Sequence, residues 1–169
     1  MQKQIIISLF LILFTVMAVN AQMGEKDADI RVGLGVSQFK GEEGLLLLSE
    51  YELNAKLSDY FTIAPSIILE HDANLDIESA NFSQANLNAF GSPSRNDRQN
   101  DFRMGGGLSF YRLSQRGDYA TRSALGLNLM LENTYTFNDF FLIGIKAFIQ
   151  PYFNRDIHYG AFLKVGINL

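Results

Sequence analysis

The residues with the most evident capacity for chemistry are few. The only histidines are His71 and His158, and Asp72 follows the first. An imidazole beside a carboxylate could serve acid–base catalysis or bind a metal near neutral pH. Two histidines without a third ligand specify no metal geometry, so both are expected to be ordinary residues of a rim. Glu50 and Glu52 are a second candidate. On one face of an extended strand they would lie about 7 Å apart, because each residue rises ~3.4 Å. That is near the carboxylate spacing of retaining glycosidases. A structural ion-pair network with Lys56 and its neighbours is the stronger reading. Gly105-Gly106-Gly107 is not a phosphate loop, since no Lys-Ser/Thr pair follows it. Asn81-Phe82-Ser83 has only the form of a glycosylation sequon. None of these residues implies a cofactor or a metal, and no enzyme is expected.

Composition bounds the remaining choices. A chain of 169 residues fits one domain. It has no Cys, which excludes disulfides and thiolate metal sites. The formal net charge of −4 leaves no basic field for nucleic acid. Fourteen Phe, seven Tyr and fourteen Gly favour closely curved sheets over helices.

The first residues have the three-part layout of a secretory signal peptide. Lys3 gives a positive start, and Ile5 to Val19 is apolar apart from Ser8 and Thr15. Val19-Asn20-Ala21 places short side chains before a polar stretch, so cleavage is expected after Ala21. The apolar run is short for a helix crossing ~30 Å of hydrocarbon. Residues 1–21 are thus the expected signal peptide and 22–169 the expected mature domain.

The mature chain alternates with period two, as strands do. At the C-terminus Ile157, Tyr159, Ala161, Leu163, Val165, Ile167 and Leu169 share one face. His158, Gly160, Phe162, Lys164, Gly166 and Asn168 share the other. The same alternation runs through 141–153, 125–135, 102–111, 30–37 and 45–57, and its apolar half continues from Phe61 to Leu69. Pro65 cannot donate to a ladder, so a bulge or local break is expected there. A weaker strand from Asn81 to Phe90 brings the count to eight. An even count suits a barrel with both chain ends on one side.

Face polarity separates a soluble barrel from a membrane one. One face of these strands carries Leu, Ile, Val, Phe, Ala and Tyr almost without charge. The other collects Arg31, Glu50, Glu52, Lys56, Glu70, Arg103, Glu132, Lys146 and Lys164. Near-balanced charge is what a narrow, packed lumen requires, because unpaired buried charge is costly. The expected fold is therefore all-β, an eight-stranded antiparallel up-and-down transmembrane β-barrel in the outer membrane. Its interior would be filled by side chains. The chain ends and the turns at Ser58-Asp59, Ser92–Asn100 and Phe137–Asp139 would face the periplasm. Lys40–Gly44, Asp72–Ala80, Ser114–Thr121 and Asn154–Asp156 would form outer loops.

Three stretches carry a family resemblance: Tyr51-Glu-Leu-Asn-Ala-Lys-Leu-Ser-Asp-Tyr-Phe61, Leu131-Glu-Asn-Thr-Tyr-Thr-Phe-Asn-Asp-Phe-Phe141 and Tyr159-Gly-Ala-Phe-Leu-Lys-Val-Gly-Ile-Asn-Leu169. They resemble the small outer-membrane β-barrel proteins of Bacteroidetes-type bacteria. The resemblance implies an OmpA-like or OmpW-like monomeric barrel, inserted by the barrel-assembly machinery among outer-membrane lipids and lipopolysaccharide. Many such barrels end in an aromatic residue, whereas this chain ends in Leu169. The leading functional expectation is an envelope-structural or surface-interaction barrel with a plugged lumen. One alternative is a small-molecule conduit lined by Glu50, Arg103 and Lys146. Another is a lipid A-modifying enzyme acting from His71 or His158. The deacylase pattern of His followed by Ser, Asn and Gly is absent, since Tyr159-Gly160-Ala161 follows His158.

Overall fold

The computed structural model describes residues 28–41, 44–70, 81–93, 99–114 and 121–169. They form eight strands: β1 (Ala28–Phe39), β2 (Leu46–Ser58), β3 (Phe61–Glu70), β4 (Asn81–Gly91), β5 (Asn100–Ser114), β6 (Arg122–Phe137), β7 (Phe141–Pro151) and β8 (Ile157–Asn168). Each pairs antiparallel with the next, and β1 pairs with β8 from Asp29↔Asn168 to Phe39↔His158. The sheet is a closed up-and-down barrel with no free edge. Closure matters because a strand edge in lipid would leave backbone N–H and C=O groups without water to bond. The expected signal peptide, His71 and the Asp72–Ala80 loop lie outside the described residues.

The weak 81–90 segment is a full strand. It pairs with β3 from Phe61↔Gly91 to Leu69↔Ser83, and with β5 from Asn81↔Ser114 to Gly91↔Met104. Pro65 does not shift the register. It pairs with Leu87 on β4. Towards β2 the ladder lapses between Glu52↔Ser66 and Ala55↔Ile63 and resumes in the same register. A proline lacks the N–H that would bond there, which accounts for a gap without a slip. The register shift falls instead between Lys56 and Ser58, at the turn into β3.

The tight turns follow from side-chain chemistry. Asn138 and Asp139 hold φ of 51° and 56°, and Phe140 N–H donates to Phe137 O at 3.1 Å. Two successive left-handed residues match the twist of the flanking strands, and Asn and Asp tolerate that region best among non-glycines.

Alternation decides what each face meets. Outward residues include Leu34 (61% exposed), Ile145 (64%) and Leu163 (57%), while inward Glu50 is 0% and Lys164 1% exposed. Polar inside and apolar outside is the reverse of a water-soluble barrel. An apolar belt around a closed sheet of 10–16-residue strands is the solution for a protein whose solvent is hydrocarbon. The protein is a transmembrane β-barrel.

Candidate functional site

The lumen has two layers. The half nearer the chain ends holds an ion network. Lys146 Nζ lies 2.7 Å from Glu50 Oε1 and 2.7 Å from Glu52 Oε2. Lys164 Nζ lies 2.7 Å from Glu52 Oε1 and 3.3 Å from both Glu50 Oε2 and Glu132 Oε2. Arg103 Nη2 reaches Glu132 Oε1 at 2.7 Å and Glu52 Oε1 at 3.1 Å. The Arg31 guanidinium grips both oxygens of Asp29, at 2.6 and 2.8 Å, and also donates to Glu132 and to Thr134 Oγ1. Asn54 Nδ2 donates to Asp29 at 2.8 Å and to Glu52 at 3.1 Å.

These eight charged side chains are all 2% exposed or less. Four are cations (Arg31, Arg103, Lys146, Lys164) and four are anions (Asp29, Glu50, Glu52, Glu132). Burial of unpaired charge would cost several kcal/mol per ion, and mutual contact at hydrogen-bond distance offsets much of that. Arg103 also lies 4.0 Å from the centroid of Phe90. The Phe90 ring occupies space left by Gly105, where a Cβ would approach its Cδ1 to 2.6 Å.

The membership differs from the set expected from sequence. Lys56 is half-buried, and Glu50 and Glu52 are bridged by Lys146 and Lys164 instead. Lys56 sits near the β2–β3 turn, too far along the strand to join the cluster. Glu70 is half-buried at the opposite end, where its Oε2 accepts the Phe82 N–H at 2.8 Å. Asp29 joins the cluster although it was not expected there. Its signal was simple: it stands two residues before Arg31 on the same row.

A second signal also escaped the sequence reading. Arg31-x-Gly33-x-Gly35-x-Ser37 on β1 recurs as Arg103-x-Gly105-x-Gly107-x-Ser109 on β5. Arg31 is in register with Glu52, and Arg103 is in register with Glu132. The strand pairs β1–β2 and β5–β6 thus repeat one pattern on opposite sides of the barrel. The lysines break the symmetry. Lys146 stands opposite Glu132 as Ser66 stands opposite Glu52. The first half therefore supplies Asp29, Arg31, Glu50 and Glu52, with an acid excess. The second supplies Arg103, Glu132, Lys146 and Lys164, with a matching basic excess.

Above the ions lies an aromatic layer. His158 is not an open rim residue as expected. It is fully buried and stacked on Phe39 at 4.6 Å, with Phe82 and Phe148 edge-on at 5.1 and 5.2 Å. Its Nδ1 lies 2.9 Å from Gln150 Oε1 and its Nε2 lies 2.7 Å from Ser37 Oγ. A carbonyl oxygen only accepts, so the neutral ring donates from Nδ1 and accepts the Ser37 hydroxyl at Nε2. Tyr111 packs on Tyr152 at 4.5 Å. Its hydroxyl donates to Asp156 in the β7–β8 turn, which also accepts from Asn154 at 2.7 Å. The turn is thereby fastened over the lumen.

This arrangement is a lock. The network carboxylates contact cations and none stands ready as a general base. Among the described residues no group of three or more His, Cys, Asp or Glu side chains is placed to hold a metal.

A closed barrel with an apolar belt and an ion-paired interior defines an outer-membrane β-barrel, and the outer membrane is where the chain resides. No family model and no curated protein sequence matches it. Solved structures do. The N-terminal β-barrel domain of Pseudomonas aeruginosa OprF has a TM-score of 0.66 at 15% identity, covering 83% of this chain and 97% of that one. Ail of Yersinia pestis, solved with the heparin analogue sucrose octasulfate, has 0.63 at 12%, covering 84% and 97%. Neisserial surface protein A has 0.67 at 8%, covering 84% and 96%. At such identities the likeness is one of fold. It does not support the narrower Bacteroidetes-type kinship expected from sequence, because alternation and turn spacing are common to small lipid-facing barrels.

Proposed function

We propose that this protein is an envelope-structural or surface-interaction barrel, a rigid membrane anchor that presents its outer loops while its lumen stays shut. The observation that carries this reading is the closed set of four buried cations and four buried anions beneath the His158 aromatic layer. A conduit needs mobile, hydrated groups along its path, whereas these side chains are held by one another. The lumen charges, Arg31, Glu50, Glu52, Arg103, Glu132, Lys146 and Lys164 together with Asp29, act as a structural plug in this reading. Lys56 and Glu70 stand outside it.

The same reading places the chain ends and the Phe137–Phe140 turn in the periplasm and the Asn154–Asp156 turn outside. It includes a signal peptide over residues 1–21, insertion by the barrel-assembly machinery, and a monomer surrounded by lipid and lipopolysaccharide. The test is conductance. Purified protein in planar bilayers is expected to give no sustained, ion-selective steps. Steady channel currents would overturn the plug. Sequencing the N-terminus of the protein recovered from outer membranes checks the signal peptide, with residue 22 expected first.

A further inference from the structure

The outward-facing rows of the eight strands are apolar or neutral with one exception. Among the described strand residues, Arg112 on β5 is the single charged side chain on that face, and it is exposed. Its position is not arbitrary. Phe110, two residues earlier on the same face of β5, is in register with Ala85 on β4 and Leu125 on β6. That apolar row is the edge of the belt here. The next row reads Ser83, Arg112, Ser123, again in register across the three strands. Ser83 and Ser123 are exposed like Arg112. Three neighbouring strands therefore change from apolar to polar at one level.

A cation at the edge of a lipid-facing belt is cheap to maintain, whereas at the bilayer midplane it would cost about 2–4 kcal/mol. Strands lie ~4.8 Å apart, so the three side chains of the row lie within about 10 Å of one another. A guanidinium presents a planar fork of donors suited to two phosphate oxygens, and flanking hydroxyls can donate to the third. The apolar row beneath would meet the acyl chains of the same molecule. Arg155 stands exposed in the β7–β8 turn at the same end of the barrel.

We infer that Ser83, Arg112 and Ser123 form a phosphate-recognition site for the lipid A headgroup of lipopolysaccharide in the outer leaflet. This rests on the orientation proposed above, which puts the C-terminal end of β5 at the cell surface. It adds to that reading a defined lipid contact made by the outer wall and not by the loops.

The test uses the full mature chain in phosphatidylethanolamine vesicles containing lipid A, dephosphorylated lipid A or phosphatidylglycerol. Binding is read by native mass spectrometry and by salt dependence. Arg112→Gln is expected to weaken lipid A binding about tenfold, the scale of one charge-assisted hydrogen bond to phosphate. It should leave the weak binding of dephosphorylated lipid A unchanged. Arg112→Lys should retain part of the affinity, and Ser83→Ala with Ser123→Ala should lose a few-fold. All variants should keep the heat-modifiable gel mobility of a folded barrel, since the row lies outside the lumen. Equal lipid A binding by wild type and Arg112→Gln would overturn the site, as would equal binding of the dephosphorylated lipid. The orientation is checked separately. The chain has no Cys, so Arg155→Cys gives a lone thiol, expected to react with a membrane-impermeant maleimide on intact cells. A shielded thiol, together with an Arg112-dependent preference for phosphatidylglycerol, would refute the lipid A assignment through the orientation. A reactive thiol without an Arg112 effect would refute the site alone.

Discussion

Arg31 stands in register with Glu52 on the adjacent strand, yet its guanidinium donates across the lumen to Glu132 on β6. Arg103 repeats the move in reverse. It is in register with Glu132 and also reaches Glu52 on β2 at 3.1 Å. The two halves of the barrel are thus exchanged at their centre, each arginine bonding an acid of the other half. Such a contact resists any motion that separates the halves. A double-mutant cycle checks this. Arg31→Met and Glu132→Gln should each destabilise by about 3–5 kcal/mol, because each leaves a buried partner uncompensated. Their coupling should fall within about 0.5–3 kcal/mol and exceed that of Arg31→Met with Glu52→Gln. The readout is the urea midpoint of the folded gel band in vesicles. Equal or larger coupling with Glu52 would mean that strand adjacency, and not the crossing, sets the energetics.

Glu50 and Glu52 look equivalent in sequence, two residues apart on one strand. The lumen distinguishes them. Glu52 meets Arg103, Lys146 and Lys164 and accepts from Asn54, whereas Glu50 meets the two lysines. Glu52→Gln should therefore lower the urea midpoint more than Glu50→Gln. Lys164→Met should be strongly destabilising, and adding Glu50→Gln to it should recover part of the loss by restoring neutrality. If the two glutamine variants unfold together, the network acts as diffuse charge balance and not through specific contacts.

Gly105 makes room for Phe90, whose ring in turn receives the Arg103 guanidinium. A methyl group at 105 would force the ring to move within a filled lumen, an overpacking cost of about 1–3 kcal/mol. Gly105→Ala should lower the heat-modification temperature. Phe90→Leu in the same chain should relieve the clash, leaving the double variant less impaired than the sum of the two singles. Simple additivity would show that the glycine serves backbone bending and not the ring.

His158 offers a spectroscopic check. Because Gln150 Oε1 can only accept, Nδ1 carries the proton and Nε2 receives the Ser37 hydroxyl. Nitrogen-15 spectra of histidine-labelled protein in nanodiscs at neutral pH should show the Nδ1–H tautomer for His158. Ser37→Ala should shift the Nε2 resonance and not Nδ1. His158→Leu, which leaves Ser37 Oγ and Gln150 Oε1 without this partner in the lumen, should cost about 1–3 kcal/mol. An Nε2–H tautomer would require the Gln150 amide to be turned over.

Much of this fold was legible because lipid-facing strands are governed by one rule, the period of two. Val165, Ile143 and Leu127 could be assigned outward, and Lys164, Lys146 and Glu132 inward, from alternation alone. Pairing partners were not legible in the same way. Alternation says that Lys56 and Lys146 both face the lumen, but only the stagger of the ladder decides that Lys146 is level with Glu132 and that Lys56 lies beyond the cluster. His158 shows a similar limit. Its place at the start of β8 suggested a rim, but the aromatic side chains of Phe39, Phe82 and Phe148 extend the packed interior over it. The repeated Arg-x-Gly-x-Gly-x-Ser pattern was visible in the chain from the start, and would have placed Arg31 and Arg103 in equivalent roles.

The β6–β7 turn tests how firmly local chemistry fixes this register. Asn138 and Asp139 hold positive φ, and Asn168 Nδ2 donates to the Asp139 carbonyl at 3.2 Å, tying the turn to the end of β8. Left-handed backbone costs most L-residues roughly 1–2 kcal/mol, and a β-branched side chain is worst placed to adopt it. Asn138→Val should therefore destabilise the barrel by about that amount and slow its folding into lipid, because the turn nucleates the β6–β7 pairing. Asn138→Gly should fold at least as fast as the wild type, since glycine meets no barrier to that φ. Folding into short-chain phosphatidylcholine vesicles, followed by the gel shift over time, reports both. If Asn138→Val folds as fast as Asn138→Gly, register in this hairpin is set by the inward Glu132–Lys146 pairing and the outward apolar row, with the turn following the strands.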